Sequence, residues 1–228
     1  MSVPALRGIR FAVLAADTAL FTVRDRTLFV RVTRVERPPH FPNHRGLPGG
    51  LIAPSETAEQ AARRHVETKA SVASKKAYFE QLYTFSNVAR DPRGRVVAVA
   101  YLALVPWEKL STQERADSEG AYWVPASRAQ ALAYDHDEIL KVVLARLKSR
   151  VRYTTIIHAL MASEFTLTEL EQTYAAILGK GLDKRNFRKK ILKVKVLKEV
   201  PRKRSGGPFR PAQLYRFARN SVREIEVL

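Results

Sequence analysis

Residues 49–72, GGLIAPSETAEQAARRHVETKASV, contain the side chains whose types and spacing are best suited to chemistry. Gly50 is followed after five residues by Glu56, seven more residues lead to Arg64, and Lys69 comes on the next turn. A glycine turn before a helix leaves room for a phosphate beside the first backbone N–H groups of that helix. Carboxylates on such a helix would hold divalent cations, which polarise a diphosphate and help to generate hydroxide. The stretch therefore indicates a site for a phosphorylated ligand.

This spacing resembles the Nudix box, a catalytic motif in which two adjacent glutamates bind the metal ion. Here those two positions are Thr68 and Lys69, and His65 replaces a further glutamate. A neutral side chain and a cation would deprive a divalent ion of ligands and repel it. We therefore expect no catalytic residues, no metal site and no appreciable hydrolase activity. Glu56 and Glu67 leave weak metal binding in a displaced arrangement open.

Several residues near the glycine turn are candidates for contacting an anionic effector. Lys69 could replace part of the charge of a metal ion, and His40 or Phe41 could stack on a base. A surface charge or a packed aromatic side chain is the alternative for each of them. The candidate effector-binding residues are Arg31, Arg34, Arg45, Gly49, Gly50, Glu56 and Lys69.

The composition limits the class of protein. The 228 residues suffice for two small domains, each with its own core. No cysteine is present, which excludes a disulfide framework and a cysteine-based zinc site. No apolar run reaches the ~18 to 20 residues of a membrane span, and MSVPALRGIR lacks the apolar core of a signal peptide. We expect a soluble, cytoplasmic protein without a membrane partner.

The net charge of +18 is concentrated in the last third of the chain. Residues 150–228 contain 18 of the 40 basic residues but only 7 of the 22 acidic ones. This imbalance favours a polyanion or an anionic membrane surface as partner, because it raises local attraction and the association rate. A solvated basic face without a partner is the alternative.

The first half of the chain is predicted to form a mixed sheet with one principal helix. Four segments rich in β-branched and aromatic residues predict strands. DPRG at residues 91–94 has the Pro and Gly positions of a type I turn, so residues 78–90 and 95–105 should form a hairpin. A helix over residues 57–70 begins at a serine or threonine cap. The strand segments are residues 11–16, 28–35, 78–85 and 96–105.

A long amphipathic helix is predicted over residues 127–151, where apolar residues recur at helical spacing. It would connect two domains, form a dimer surface, or do both. Beyond it, FTLTELEQTYAAIL contains the capping box of Thr166 and Glu169 and ends at Gly179. A second helix, DKRNFRKKILK, follows the GKG turn, and two helices joined in this way are a helix-turn-helix.

The second of these helices separates an apolar face from a cationic face. Phe187 and Ile191 lie four residues apart and would pack inward, which leaves the basic side chains outside. These cations repel one another in isolation but become favourable beside phosphates. Arginine and asparagine can also read guanine and adenine edges in a major groove. The predicted DNA-binding residues of this helix are Lys184, Arg185, Asn186, Arg188 and Lys189.

A basic hairpin is predicted to follow. KVKVLKEV at residues 193–200 and QLYRF at residues 213–217 read as strands around the basic turn PRKRSGGPFRP. A recognition helix followed by such a hairpin is a winged helix, whose wing would contact backbone phosphates or a minor groove. A flexible basic loop without a function is the alternative. The predicted DNA-binding residues of the wing are Arg202, Lys203, Arg204 and Arg210.

The two halves together resemble the NrtR family of Nudix-related transcriptional regulators of NAD metabolism, over nearly the whole chain. The resemblance implies a homodimeric repressor that binds double-stranded operator DNA, has no cofactor, and binds a small-molecule nucleotide effector. In the best-described members this effector is ADP-ribose or a related NAD metabolite, whose binding releases the operator. The segments that carry the resemblance are LPGG (47–50), DPRGRVVAVAYLALV (91–105), DHDEIL (135–140), FTLTELEQTYAAILGKGLDKRNFRKKIL (165–192) and RPAQLYRF (210–217).

These observations predict an α+β protein with an N-terminal Nudix-like α/β/α sandwich containing a mixed sheet, over residues 1–126. A connecting or dimer helix at residues 127–150 and a C-terminal winged helix-turn-helix domain at residues 151–228 would follow. Three alternatives remain: the same architecture sensing a sugar metabolite, an active nucleotide-diphosphate (ADP-ribose) hydrolase, and a generic RNA-associated protein. The hydrolase explains neither Thr68 and Lys69 nor the basic C-terminal third. The C-terminal third also lacks the interleaved aromatic platform of single-strand RNA readers.

Overall fold

The computed structural model describes residues 12–205 and 211–225. The predicted wing residue Arg210 and the predicted strand residue Phe11 lie outside these ranges. No helix in the described ranges is long and apolar enough to cross a membrane. The strands are β1 (Val13–Arg24), β2 (Thr27–Arg37), β3 (Phe41–Gly46), β4 (Gly49–Leu51), β5 (Tyr78–Phe85), β6 (Val96–Leu104), β7 (Ala121–Pro125), β8 (Phe165–Thr166), β9 (Leu197–Arg204) and β10 (Ala212–Phe217). The α-helices are α1 (Ala58–Ala70), α2 (Thr112–Arg115), α3 (His136–Tyr153), α4 (Leu167–Leu178) and α5 (Lys184–Lys193).

Strands β1 to β7 form one mixed sheet, as predicted. β1 and β6 are parallel neighbours in the order β3-β2-β1-β6-β5, while β4 pairs with β1 and β7 with β2. The first strand is longer than predicted and runs to Arg24. Asp17, Thr18 and Thr22 do not end it, because all three are buried within the sheet. The three short strands β3, β4 and β7 were not predicted, because they lack the apolar alternation of the others.

β5 and β6 form the predicted hairpin, although the turn is longer than predicted. The Gly94 N–H donates to the carbonyl oxygen of Asp91 at 3.3 Å, and the Asp91 carboxylate accepts the Arg93 N–H at 3.0 Å. β5 ends at Phe85 rather than at residue 90, so the following residues form a loop. This loop carries Arg90 back to the sheet, where its side chain is buried.

Helix α1 has the predicted position, with Thr57 as its N-cap. The Thr57 hydroxyl accepts the Gln60 N–H and the Gln60 side chain accepts the Thr57 N–H, which forms a capping box. Ala62 and Val66 are fully buried against the sheet. The helix ends before Ser71, which has the left-handed φ of 56°. These contacts fix the start and the rotation of the helix that carries the box residues.

Helix α3 begins at His136, nine residues later than the prediction of residue 127. Ala131 and Tyr134 have φ values of 55° and 59°, which no right-handed helix can accommodate. The predicted apolar stripe is present, with Ile139 and Leu147 fully buried. The sequence signal was therefore right for the helix interior and wrong for its start.

The C-terminal third forms the predicted winged helix. Thr166 and Glu169 form the capping box of α4, and Gly179 ends this helix with a left-handed φ of 72°. The Asp183 carboxylate accepts the Asn186 N–H at 2.9 Å at the start of α5. β9 begins later than residue 193, because α5 continues to Lys193. β9 and β10 pair antiparallel, and β8 adds a third strand beside β10.

One hydrophobic core joins the sheet to the winged helix. Phe21 and Val30 of the sheet belong to the same buried cluster as Tyr174 and Ile191. Helix α4 packs against both β2 and α3. The rings of Tyr174 and Phe187 lie 5.1 Å apart edge to face, which joins α4 to α5. The orientation of α5 is therefore fixed by contacts that continue into the sheet.

Replacing Ile191 by Ala should lower the free energy of unfolding by about 2 to 5 kcal/mol, because its buried side chain leaves a cavity. The neighbouring Leu192 is 44% exposed. Leu192→Ala removes the same number of carbon atoms and should cost less than about 1 kcal/mol. Urea unfolding followed by circular dichroism measures both. Equal losses would contradict the apolar face assigned to α5.

Candidate ligand cavity and nucleic-acid interface

A cavity of about 530 Å³ lies where β1, β2 and α1 meet the loop before α3. Its volume is within the range of small-molecule sites. Of the predicted effector residues, Arg34, Gly49, Gly50 and Lys69 line it. The cavity also brings together residues that the sequence did not single out as effector contacts, among them Asp17, Arg37, Arg90, Arg93, Tyr134 and His136.

Gly49 and Gly50 bring the backbone close to the cavity wall. A Cβ atom on Gly49 would lie 2.0 Å from the Asp17 carboxylate, and one on Gly50 would lie 2.8 Å from the His65 ring. Any side chain at either position would displace these neighbours. The glycines are therefore required for packing, and they also leave the backbone open to a ligand.

The two carboxylates that remain in the box have internal partners. Arg64 Nε donates to Glu56 Oε2 at 2.9 Å, and the Ala53 N–H donates to Glu56 Oε1 at 2.7 Å. These hydrogen bonds, from Arg64 first, lower the pKa of Glu56 to about 2. Glu67 accepts hydrogen bonds from the N–H and the hydroxyl of Ser74 at 3.1 and 2.7 Å. In the described part of the chain, no group of three or more His, Asp or Glu residues is arranged to hold a metal ion.

Lys69 places an ammonium group in the cavity wall. Its Nζ donates to the carbonyl oxygen of Gly49. Burial, and next the nearby Arg37, lower the pKa of Lys69. Burial also lowers the pKa of His65, and Lys69 lowers it further, which keeps this imidazole neutral at pH 7. The His65 Nε2 lies 3.1 Å from the carbonyl oxygen of Leu51. The wall thus combines a fixed cation with a neutral ring where Nudix enzymes place carboxylates.

Arg90 forms a buried bridge between the cavity wall and α3. It donates to Asp17 at 3.1 Å and to both oxygens of Asp135 at 2.8 and 2.6 Å. Burial raises the pKa of Asp17, but His136 and then Arg90 outweigh this effect and hold it below its ordinary value. His136 Nδ1 accepts the Leu47 N–H at 2.9 Å, so Nε2 carries the proton that faces Asp17 at 3.6 Å. The start of α3 is thereby attached to the cavity.

Three of the predicted effector residues do not line the cavity. Arg31 is fully buried and donates to the carbonyl oxygens of Ala70 and Ala116, both at 3.1 Å, so its guanidinium holds the fold together. The Arg45 guanidinium lies over the ring of Tyr122 at 4.7 Å. Glu56 is held in its ion pair with Arg64 and does not line the cavity. His40 and Phe41 are also absent from the cavity lining.

One cavity residue that sequence reasoning did not identify, Asp17, could have been found from the sequence. Asp17 interrupts an apolar strand segment, and a carboxylate inside a strand that buries its neighbours requires a partner. Arg37, Arg90 and Arg93 carried no such signal. Arg37 ends β2, whereas Arg90 and Arg93 lie in the loop between β5 and β6, and only the fold brings these two segments together.

Helix α5 exposes all five of its predicted DNA-binding side chains. Phe187 and Ile191 are buried on the opposite face, as predicted. Arg188 donates to the Thr168 hydroxyl at 3.0 Å, which places its guanidinium at the junction of α4 and α5. The exposed side chains are Lys184, Arg185, Asn186, Arg188 and Lys189.

The two arginines of β9 are paired with acidic side chains. Arg202 contacts both oxygens of Glu164, with distances of 3.0 and 2.6 Å from its Nε and Nη2. Arg204 contacts Glu169 and also donates to the Glu164 carbonyl oxygen at 3.3 Å. Lys203 is exposed between them. Arg202 and Arg204 would have to exchange these partners, or share them, in order to contact phosphates.

Both halves of the chain match known domain families. Residues 13–147 match the NUDIX domain, and residues 157–217 match the NrtR DNA-binding winged helix domain. The chain is 35% identical over 207 residues to the ADPR responsive transcriptional repressor NtrR of Acinetobacter baylyi, covering 90% of this chain and 82% of that protein.

Solved structures give the same result. The structure of Shewanella oneidensis NrtR complexed with a 27mer DNA is similar with a TM-score of 0.78 and 32% identity, covering 90% of this chain and 93% of that one. The NUDIX domain of the same protein, complexed with ADP ribose, is similar with a TM-score of 0.53 and 32% identity, covering 62% of this chain and 92% of that one. Since both domains match in order and the repressor relative aligns over most of its length, the chain belongs to the NrtR family, in which a Nudix domain precedes a DNA-binding winged helix.

Proposed function

We propose that this protein is a ligand-responsive repressor that binds duplex operator DNA and releases it when ADP-ribose or a related NAD metabolite enters the cavity. One observation carries the proposal: a cavity with more basic than acidic side chains in its lining and an exposed basic helix are built on one continuous core. The Acinetobacter relative is named for its response to ADPR, and the Shewanella Nudix domain forms a complex with ADP ribose. The regulated genes would be those of NAD cofactor metabolism.

The oligomeric state and the cellular location that we propose follow from this role. A repressor that is a symmetric homodimer would bind two half-sites about one helical turn or a multiple apart. The outer face of α3, with the half-buried Leu144 beside Ala145, is the surface that we assign to this dimer. The protein would need no cofactor and would act in the cytoplasm, where it meets the operator.

DNA binding is proposed to depend on the exposed face of α5. A double variant, Arg185→Ala with Arg188→Ala, should bind a duplex selected from a random pool at least about 10-fold more weakly. The slope of log affinity against log salt should fall by about 2, since each lost phosphate contact contributes ~0.9. Fluorescence anisotropy at several salt concentrations measures both quantities.

The matched control removes two exposed cations from the Nudix domain, in the variant Lys75→Ala with Lys109→Ala. It has the same net charge as the α5 variant. If the two variants lost equal affinity, general electrostatic attraction would explain binding and the assignment of α5 would be wrong.

The effector's diphosphate is proposed to bind between Lys69, Arg37 and Arg93. ADP-ribose should raise the melting temperature in the presence of EDTA, because these cations act without a metal. It should also release the selected duplex. Lys69→Ala should weaken ADP-ribose binding by about 10-fold or more, the usual effect of losing a hydrogen bond from a charged group.

The lowered pKa of Lys69 also predicts how the affinity for the ligand depends on pH. The ammonium form binds the diphosphate, so affinity should fall as the pH rises through a pKa below that of an ordinary lysine. Lys69→Ala should lack this fall, whereas Lys75→Ala should retain it. Calorimetric titration between neutral and alkaline pH compares the three proteins. A common pH profile for all three would exclude Lys69 from the site.

We further infer that the Nudix domain is catalytically inactive. Thr68 and Lys69 offer no carboxylates, and Glu56 and Glu67 are held by internal donors. The residues present therefore do not fit a metal centre of the Nudix type.

Incubation with ADP-ribose and Mg²⁺ should release no AMP over the background measured without protein. The variant Thr68→Glu with Lys69→Glu, which restores two adjacent carboxylates, should gain Mg²⁺ binding. Turnover by the unmodified protein would refute this inference.

A further inference from the structure

Tyr134 adopts a backbone conformation that is unfavourable for its type. Its φ of 59° lies in the left-handed region, which bulky residues rarely occupy. The residues on both sides are fixed. The Ala133 N–H donates to the Arg45 carbonyl oxygen at 2.7 Å, and the Asp135 carboxylate is held by Arg90. Glycine or asparagine would satisfy the same turn with less strain, so the tyrosine side chain requires another explanation.

The strained backbone directs the Tyr134 ring into a fixed aromatic group. The Phe41 ring lies 4.4 Å from it, centroid to centroid, at an interplanar angle of 54°. The Arg93 guanidinium lies over the Tyr134 ring at 5.3 Å. Asp91 holds that guanidinium by two hydrogen bonds, at 2.9 and 2.7 Å. The ring and the guanidinium are thus ordered before any ligand arrives, which lowers the entropy lost on binding.

Part of this group, without Phe41, forms one wall of the cavity. Tyr134 and Arg93 both line it, as do Arg37 and Lys69. Tyr134 is only half-buried, and its hydroxyl has no hydrogen-bond partner among the described residues. The lining therefore offers cations for phosphates. It also offers an aromatic surface for a flat, apolar group, in the part of Tyr134 that Phe41, His136 and Arg93 leave exposed. A sugar phosphate would use the cations alone, whereas a nucleotide would use both.

We propose that Tyr134 is a specificity-determining residue, which packs against the base of the effector and makes the cavity selective for a nucleotide over a base-free sugar phosphate. This inference rests on the proposed function, because it assigns the base of the same ligand. Aromatic contacts to bases contribute enough to change affinity by roughly 10- to 100-fold. The strain at Tyr134 persists because the ring must lie in the wall.

The test compares the full-length protein with Tyr134→Phe and Tyr134→Asn. Phenylalanine keeps the ring, while asparagine removes it but tolerates the left-handed backbone. Calorimetric titration with ADP-ribose, ribose 5-phosphate and inorganic pyrophosphate separates the base from the phosphates. Tyr134→Asn should weaken ADP-ribose binding by roughly 10- to 100-fold and leave the two base-free ligands within about twofold. Tyr134→Phe should bind ADP-ribose within about threefold of the unmodified protein, since stacking needs only the ring.

Tyr83→Asn is the matched control, because Tyr83 is 60% exposed on β5 and does not line the cavity. Thermal melting and DNA binding without ligand show whether each variant is folded. Unchanged ADP-ribose affinity in Tyr134→Asn, or an equal loss for all three ligands, would overturn the role of Tyr134 while leaving the proposed function intact. Failure of the unmodified protein to bind ADP-ribose would overturn both.

Discussion

The buried bridge of Arg90 with Asp17 and Asp135 is the constraint on which the cavity and its connection to the rest of the chain depend. The Arg90 and Asp17 side chains are 3% and 6% exposed. Buried charges are tolerated only when every partner is present, because removing one leaves an uncompensated charge in a medium of low polarity. The bridge therefore fixes three separate segments at once: the middle of β1, the loop after β5, and the residues before α3. Gly49 must lack a side chain for the same reason, since Asp17 occupies that space.

This constraint also connects the cavity to the basic face of α5 through a series of packed elements. Asp135 immediately precedes α3, and α3 packs against α4, which packs against α5. These elements share one buried cluster, which extends from Phe21 in the sheet to Ile191 in α5. In such a packed structure, a ligand changes DNA affinity only if it binds two arrangements of these elements with different affinity. The start of α3 is the place where a change in the cavity would first reach a helix shared with the winged helix.

Elements specified by local chemistry were predictable, whereas residues brought together by the fold were not. The cap at Thr57, the capping box at Thr166 and the Gly179 stop act within a few residues, so α1 and α4 were correctly placed. The start of α3 was missed because two left-handed residues precede it, and nothing in their types signals this. Arg31 was misread for a related reason: an arginine in a strand looks like a surface charge until its buried carbonyl partners are known.

The altered Nudix box is consistent with the needs of a sensor. A receptor reports the concentration of its ligand only if it releases that ligand unchanged, so retaining the cavity and removing the metal ligands serve the same end. Lys69 supplies positive charge, but an ammonium group cannot act as the Lewis acid that generates hydroxide. The scaffold positions persist for structural reasons that are independent of catalysis, since Glu56 and Arg64 tie the loop to α1. Under the inference that this domain is inactive, the binding of a ligand and its hydrolysis are separable properties of this fold.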